Sequence, residues 1–293
     1  MEPMSSDHIH PTHSLTVVVG GNGKTGRRVV ERLTAMGRPV RPVSRSTPVS
    51  FDWEDHTTWP AALDGATSAY ITYQPDLAAP GSIDAITAFG KAAEQAGLER
   101  LVLLSGRGEP DAQACERILL DGPIPTTVLR CSFFAQNFSE HFLQGPVLDG
   151  VIALPAGDVL EPVVDADDVA DVAVLALTTD GHTGEVYELT GPTLLSFHEM
   201  AAALSAAIGN EVVYLPVSVD AYATEAIAAG VPADEADMLA SLFAHIFAGH
   251  NATLADGVQR ALGRPARSFA AFAADAADAG AWATAADPAE GAA

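Results

Sequence analysis

A glycine-rich turn sits between two segments of different periodicity. Leu15-Thr16-Val17-Val18-Val19-Gly20 is a β-rich apolar run, and Arg27 to Met36 is a helical pattern; Gly20-Gly21-Asn22-Gly23-Lys24-Thr25-Gly26 joins them. A strand, a turn and a helix N-terminus present backbone N–H groups and a positive dipole end to a phosphate. Gly20, Gly23 and Gly26 follow G-x-x-G-x-x-G rather than the commoner G-x-G-x-x-G, so context carries more weight than spacing. The alternative is a tight strand–helix turn with no ligand. Seven of the fifteen Lys and Arg residues lie in the 22 residues from Lys24 to Arg45. They are Lys24, Arg27, Arg28, Arg32, Arg38, Arg41 and Arg45, with Glu31 as the single acid among them. The formal net charge of the chain is -23. Cations gathered where the rest repels anions point to a polyanionic small molecule, and a dinucleotide fits best.

The next strand, Pro39 to Val43, ends in Ser44-Arg45-Ser46, with no acid before Asp52. A site for NADH usually places a carboxylate there to hold the ribose 2′-hydroxyl. A carboxylate would repel a 2′-phosphate, whereas Arg45 pairs with one and the flanking serines donate to it. The pattern predicts NADPH.

Strands and helices alternate around this turn. Apolar β-type runs occur at 40–43, 68–73, 100–105 and 126–130, and helical patterns at 82–96, 112–120 and 167–177. Short continuous apolar strands separated by helices imply a parallel sheet covered on both faces. The fold class is therefore α/β, a Rossmann-type doubly wound sheet spanning 15–190. From 191 to 273 the chain is Ala-rich and helical, at 197–208 and 221–249, with one strand candidate at 211–215. That stretch predicts a smaller, mainly helical substrate-binding lobe closing an apolar pocket over the nicotinamide. Residues 1–14, with His8, His10 and His13, read as a disordered leader, and 274–293 as a disordered tail.

The bulk properties exclude several classes. Hydrophobic residues make up 48% of the 293, which suits a globular chain. The apolar runs are far shorter than the ~20 residues of a membrane span. Cys115 and Cys131 give no disulfide framework and suit a reducing compartment, so a cytoplasmic protein is expected. Acidity argues against nucleic acid and anionic membrane as partners. A small aromatic substrate, with a monomer or homodimer, is the expectation. No metal site is expected. Asp165, Asp167, Asp168 and Asp171 precede a helix, where acids cap N–H groups, and His245 and His250 have poor ligand spacing.

Four motifs in order, across about residues 15–272, resemble the NmrA-like family of atypical short-chain dehydrogenase/reductases. They are the glycine loop with Arg27-Arg28-Val29-Val30, Leu129-Arg130-Cys131-Ser132-Phe133-Phe134-Ala135-Gln136-Asn137-Phe138, Val164-Asp165-Ala166-Asp167-Asp168-Val169-Ala170, and Tyr187-Glu188-Leu189-Thr190-Gly191-Pro192. The resemblance implies that Gly20, Asn22, Gly23, Lys24, Thr25 and Gly26 cradle a pyrophosphate and that Ser44 and Arg45 meet the 2′-phosphate. Asp52 and Trp53, after a third strand at 49–51, would lie near the adenine. Thr72, Tyr73 and Gln74, ending a fourth strand, and Ser105 and Gly106, ending a fifth, would line the ribose and nicotinamide. Phe133, Phe134 and Asn137 would border the nicotinamide and substrate; for the two phenylalanines, plain core packing is the competing reading.

The usual Tyr-x-x-x-Lys dyad of short-chain dehydrogenases is missing, because Lys24 and Lys91 are the only lysines and Gly20 and Thr87 stand four residues before them. Ser105 occupies the position of the family's catalytic serine, but the helix after it offers Gln113, Cys115, Glu116 and Arg117. A ketone reductase needs a strong acid for its basic alkoxide product. A quinone yields a stabler phenolate-type anion, for which Ser105, Asn137 and backbone N–H groups can act as the electrostatic partner. The expectation is an NADPH-dependent oxidoreductase of aromatic quinones or similar conjugated acceptors, in a setting of aromatic natural-product tailoring. Its alternative is a non-catalytic NADP(H)-binding redox sensor.

Overall fold

Valine-rich runs without polar alternation form the strands around the glycine turn, because a strand covered on both faces has no solvent side to mark. A computed structural model describes residues 14–283. In chain order the strands are β1 (Leu15–Val19), β2 (Val40–Val43), β3 (Ala66–Ile71), β4 (Arg100–Gly106), β5 (Thr126–Cys131), β6 (Val151–Leu154), β7 (Leu160–Glu161), β8 (Val186–Leu189), β9 (Leu195–Ser196) and β10 (Val213–Pro216). The helices are α1 (Lys24–Ala35), α2 (Trp59–Leu63), α3 (Ser82–Gln95), α4 (Pro110–Leu120), α5 (Asn137–Glu140), α6 (Gln144–Leu148), α7 (Ala166–Thr178), α8 (Phe197–Ile208), α9 (Val219–Ala228), α10 (Ala233–Ile246), α11 (Gly257–Leu262) and α12 (Phe269–Asp278). No helix among the described residues is long and apolar enough to cross a membrane.

Two compact units share the chain. The first holds residues up to Ser132, Ala166–Thr190 and Ala255–Ala266; the second holds Phe133–Asp165, Gly191–Leu254 and the residues from Arg267 on. The expected single boundary at 190 differs from this division in that 133–165 falls in the second unit and 255–266 in the first.

The first unit is a six-stranded parallel sheet in the order β2-β1-β3-β4-β5-β8. Strand β1 is the switch point. Chain progress runs one way from it to β2 and the other way to β3, and right-handed crossovers then place helices on both faces. Helix α1 packs on α7, and α3 packs on α4. Val17, Val18, Leu101, Leu103, Val128 and Leu129 are all 1% exposed or less, as a doubly covered sheet requires.

The third strand expected at 49–51 does not form. Only an isolated bridge, Ser44 to Ser50, marks its place beside β2. Here the backbone serves a turn: Phe51 N–H donates to the Ser44 carbonyl at 3.0 Å, and the Thr47 hydroxyl to the Val49 carbonyl at 2.8 Å. The strands counted fourth and fifth in the sequence are therefore β3 and β4.

The second unit has an aromatic core in which Phe138 and Phe197 are buried with Phe243, Phe247, Phe269, Phe272 and Trp282. Ser196 and Glu199 cap α8 reciprocally, Ser196 N–H donating to Oε2 of Glu199 at 2.8 Å and Glu199 N–H to Oγ of Ser196 at 3.3 Å. The long helix expected at 221–249 is two helices, α9 and α10, broken where Gly230 takes φ +96° and Pro232 follows. The expected tail is also shorter than its composition implied. Helix α12 runs to Asp278, and Trp282, 6% exposed, donates its indole N–H to the Phe138 carbonyl at 2.9 Å. Of the leader and tail, residues 1–13, including His8, His10 and His13, and 284–293 lie outside the described residues.

Candidate nucleotide site at the carboxyl edge of the sheet

Backbone alone builds the turn after β1. A Cβ on Gly26 would stand 2.2 Å from the Gly20 carbonyl oxygen, and one on Gly20, which has φ +76°, would stand 2.1 Å from the Thr72 hydroxyl. Thr72 donates that hydroxyl to the Val19 carbonyl at 3.0 Å, tying the carboxyl ends of β1 and β3 together. Its expected role beside the ribose thus includes a structural bond at the switch point. Helix α1 begins after Gly23, which offers no side-chain cap, and its first turn holds no acid. Amides in the first turn of an uncapped helix are a seat for an anion. A pyrophosphate fits this cradle, which a Cβ would fill.

The arginine concentration resolves into different tasks. Arg28 and Arg32 on α1 bond Asp167, at 3.3 Å and 2.7 Å, and Arg32 also bonds Asp171 at 2.6 Å. Burial opposes ionisation of Asp167, but its bonds to Arg32 and Arg28 outweigh burial and hold its carboxyl below the ordinary range. Asp171 and Asp168 also bond Arg264, at 2.6 Å and 2.7 Å. The aspartates expected as helix caps are thus mainly ion-pair partners, and they neutralise two of the seven cations credited to the ligand. Arg41 donates to the carbonyls of Ala62 and Asp64 at 2.9 and 2.7 Å. Of the seven, Arg45 alone has no hydrogen-bond or ion-pair partner among the described residues, and it is exposed. Asn22 donates its side-chain amide to Oγ of Ser44 at 3.3 Å and Ser46 at 3.2 Å, so the glycine loop and the end of β2 form one polar surface around it.

Beyond β2, Asp52 and Trp53 are fixed through their neighbours. Trp59 donates its indole N–H to the Asp52 carbonyl at 2.7 Å, and Trp53 donates its own to the Thr72 carbonyl at 3.1 Å. Tyr73 packs its ring 5.0 Å from that of Trp53, while Gln74 is exposed. These half-buried rings at the end of β3 extend the buried cluster of Phe51, Trp59 and Phe89.

Ser105 ends β4 and is 5% exposed. Its hydroxyl donates to Oε1 of Glu116 at 2.6 Å, and Glu116 is 2% exposed. Arg130 on β5 meets both oxygens of Glu116, through Nε at 3.0 Å and through Nη2, and its Nη1 reaches Glu188 at 2.9 Å. Arg107 closes the chain on Glu188 at 3.3 Å. The bonds to Glu116 raise the Arg130 guanidinium above its ordinary pKa, so the pair is ionic. With its proton directed to a carboxylate, the Ser105 hydroxyl presents its lone pairs as hydrogen-bond acceptors. Glu116 was visible in the sequence only as a residue in place of a tyrosine or lysine. The usable signal was Arg130, a cation inside an apolar parallel strand, which requires a buried carboxylate.

Phe133, Phe134 and Asn137 belong to the second unit. The Phe133 ring packs 5.6 Å from Phe247 and 6.2 Å from Phe138 and is half-buried, so part of it is engaged in core packing. Phe134 is half-buried and bridges to Val164, and Asn137, 7% exposed, opens α5. Both thiols are buried, and burial pushes that of Cys131 far above its usual range.

The chain matches no protein-family model. It is 31% identical over 280 residues to the NAD(P)H azoreductase of Xenophilus azovorans, covering 88% of this chain and 96% of that protein. It is also 31% identical over 286 residues to the (4-alkanoyl-5-oxo-2,5-dihydrofuran-3-yl)methyl phosphate reductase of Streptomyces griseus, covering 90% and 99%. Among solved structures, the NADPH-dependent quinone oxidoreductase of Escherichia coli, complexed with NADPH, superposes with a TM-score of 0.71 at 22% identity, covering 89% of this chain and 99% of that one.

Proposed function

The chain belongs to the NmrA-like family of atypical short-chain dehydrogenase/reductases, and from that premise we propose that it is an NADPH-dependent reductase of aromatic quinones or similar conjugated acceptors. The observation that carries the reading is Arg45. It is exposed and unpartnered beside Ser44 and Ser46, at a strand end with no carboxylate before Asp52, while the other cations of its stretch are engaged. The names of the azoreductase and the quinone oxidoreductase above support the reaction class.

Bound NADPH supplies the hydride. The chain supplies the rest: amides of the uncapped first turn hold pyrophosphate, and Arg45 with Ser44 holds the 2′-phosphate. Trp53 and Tyr73 offer faces for rings. Ser105 accepts a hydrogen bond from a hydroxyl or amide of the bound ligand. Phe133, Phe134 and Asn137 are assigned to the acceptor. The missing Tyr-x-x-x-Lys favours an acceptor whose reduced anion is stable near neutrality. The proposed setting is the tailoring of aromatic natural products, on a small aromatic substrate, by a monomer or homodimer without nucleic-acid or membrane partners.

Calorimetric titration with NADPH and NADH, followed by nicotinamide absorbance on adding a panel of quinones and azo dyes, tests the reading. Tighter binding of NADPH and its oxidation by members of the panel are expected. Tight binding with no oxidation by any member would replace this reading with that of a non-catalytic redox sensor.

A further inference from the structure

We propose that the second unit selects a positively charged, planar aromatic acceptor, held against the rings of Phe133, Phe142 and Tyr222. The proposal rests on the reductase reading above and narrows its conjugated acceptors to cations.

Charge divides the chain unevenly. The stretches of the second unit, 133–165, 191–254 and 267–293, hold sixteen Asp and Glu but a single Lys or Arg, Arg267. Every other Lys and Arg, including Arg45, belongs to the first unit. Arg267 is itself engaged, its Nε 2.7 Å from Asp165 and its Nη2 on Asp275. The unit to which the acceptor is assigned therefore has no lysine or arginine to offer an anion, and its surface potential is negative. A sulfonate, carboxylate or phosphate on the acceptor is repelled there, and a positive charge is attracted.

Rings supply the contact. Phe133, Phe142, Phe243 and Phe247 form a closed set, with centroids 6.4, 5.4, 5.8 and 5.6 Å apart in turn around it. Tyr222 joins the set edge-on to Phe243 at 5.3 Å. Phe243 and Phe247 are buried, whereas Phe142 is 38% exposed and Phe133 and Tyr222 are half-buried. An exposed phenylalanine continuous with a buried aromatic set gives the flat ring of a ligand a surface to pack on. The faces of Phe and Tyr also attract a cation through their ring quadrupoles. Exposed Asp220 and Glu225 flank Tyr222 on α9, adding charge of the right sign beside the rings. The acids set the field, and the rings make the seat.

The chemistry agrees. The chain lacks Tyr-x-x-x-Lys, and hydride transfer to a neutral carbonyl leaves an anion that needs a proton. Hydride transfer to a cationic aromatic carbon leaves none. The C–H bond of a reduced nicotinamide breaks with both its electrons, and a C–H bond forms on the acceptor. The positive charge passes to the oxidised nicotinamide. The reduced acceptor is neutral, no proton moves, and the chain need supply no acid. Loss of its charge also loosens the product from a seat that favours cations.

Three acridines of similar shape test the proposal at about pH 8: 10-methylacridinium, uncharged acridine and acridine-9-carboxylate. Calorimetric titration into the cofactor-free protein reads binding without turnover. In low salt, 10-methylacridinium should bind at least about tenfold more tightly than acridine, and the carboxylate most weakly, with the gap narrowing in about 0.5 M salt. Phe142→Ala should weaken 10-methylacridinium about 3- to 5-fold, the worth of one exposed cation–π contact. Asp220→Asn combined with Glu225→Gln should narrow the gap between the cation and acridine. With NADPH present, 10-methylacridinium should be reduced above the uncatalysed rate, and Phe142→Ala should raise its KM rather than lower kcat. Equal binding of the cation and the carboxylate in low salt, or a cation preference unmoved by these substitutions, overturns the proposal. Oxidation of NADPH by quinones but not by 10-methylacridinium also overturns it and leaves the reductase reading standing. No NADPH oxidation with any acceptor overturns both.

Discussion

At the ends of β1 and β2, the loops present an uncapped helix turn and an exposed Arg45 that no carboxylate engages. At the ends of β3, β4 and β5, the loops and strands carry Asp76, Glu109 and Arg107, with Glu116 and Arg130 beneath Ser105. Both regions contain arginines, so composition does not separate them. Partners do. Arg130 and Arg107 are consumed by Glu116 and Glu188, whereas Arg45 keeps its charge available. One edge of a single sheet thus carries an uncommitted cation at one end and a network of mutually paired charges at the other. The difference is one of charge: a carboxylate beside Arg45 would repel a phosphate, whereas the carboxylates beside Arg130 and Arg107 leave those cations nothing to offer one.

The comparison breaks most visibly at Arg130. Arg130→Met leaves Glu116 buried and unpaired, and urea unfolding should show a loss of about 3–5 kcal/mol, most of it recovered when Glu116→Gln is added. A loss below about 1 kcal/mol would mean that water reaches Glu116 and that the two regions do not differ in the way described. Next in size is Arg45→Ala. NADPH binding should weaken by about 10- to 100-fold by calorimetry, with NADH little changed, since one charge-assisted contact to a phosphate is removed. Equal weakening of both cofactors would assign Arg45 to the pyrophosphate. The smallest effect is expected for Ser105→Ala, whose hydroxyl is committed to Glu116. Single-turnover reduction should slow by less than about tenfold, in keeping with one neutral acceptor. Loss beyond about 100-fold would make the Ser105 hydroxyl a direct participant in the reduction.

Local signals read well from the chain where one residue type admits few conformations. Strands at 40–43, 100–105 and 126–130 stand in the structure within one residue of the sequence reading, since buried parallel strands need unbroken apolar runs. The strand at 49–51 was misread because β-type residues there serve a turn held by Ser44 and Thr47. The break at Gly230 and Pro232 was legible and should have divided 221–249 into two helices. Composition failed at 274–283, where an Ala-rich segment that looks like a tail is held by the Trp282 indole and by the Gln144 amide, which donates to the Ala281 carbonyl at 2.9 Å.

The linear order of residues was enough to establish the parallel α/β architecture and to single out the glycine turn and the end of β2 as the candidate seat for a dinucleotide. Each of these depends on neighbours a few positions apart and on periodicity. Folding alone decided which charges remain available. Asp167 meets Arg32 across 135 residues, and Glu188 meets Arg130 across 58. Coulombic and hydrogen-bonding interactions act through space, so a count of cations along the chain overstated the ligand's share.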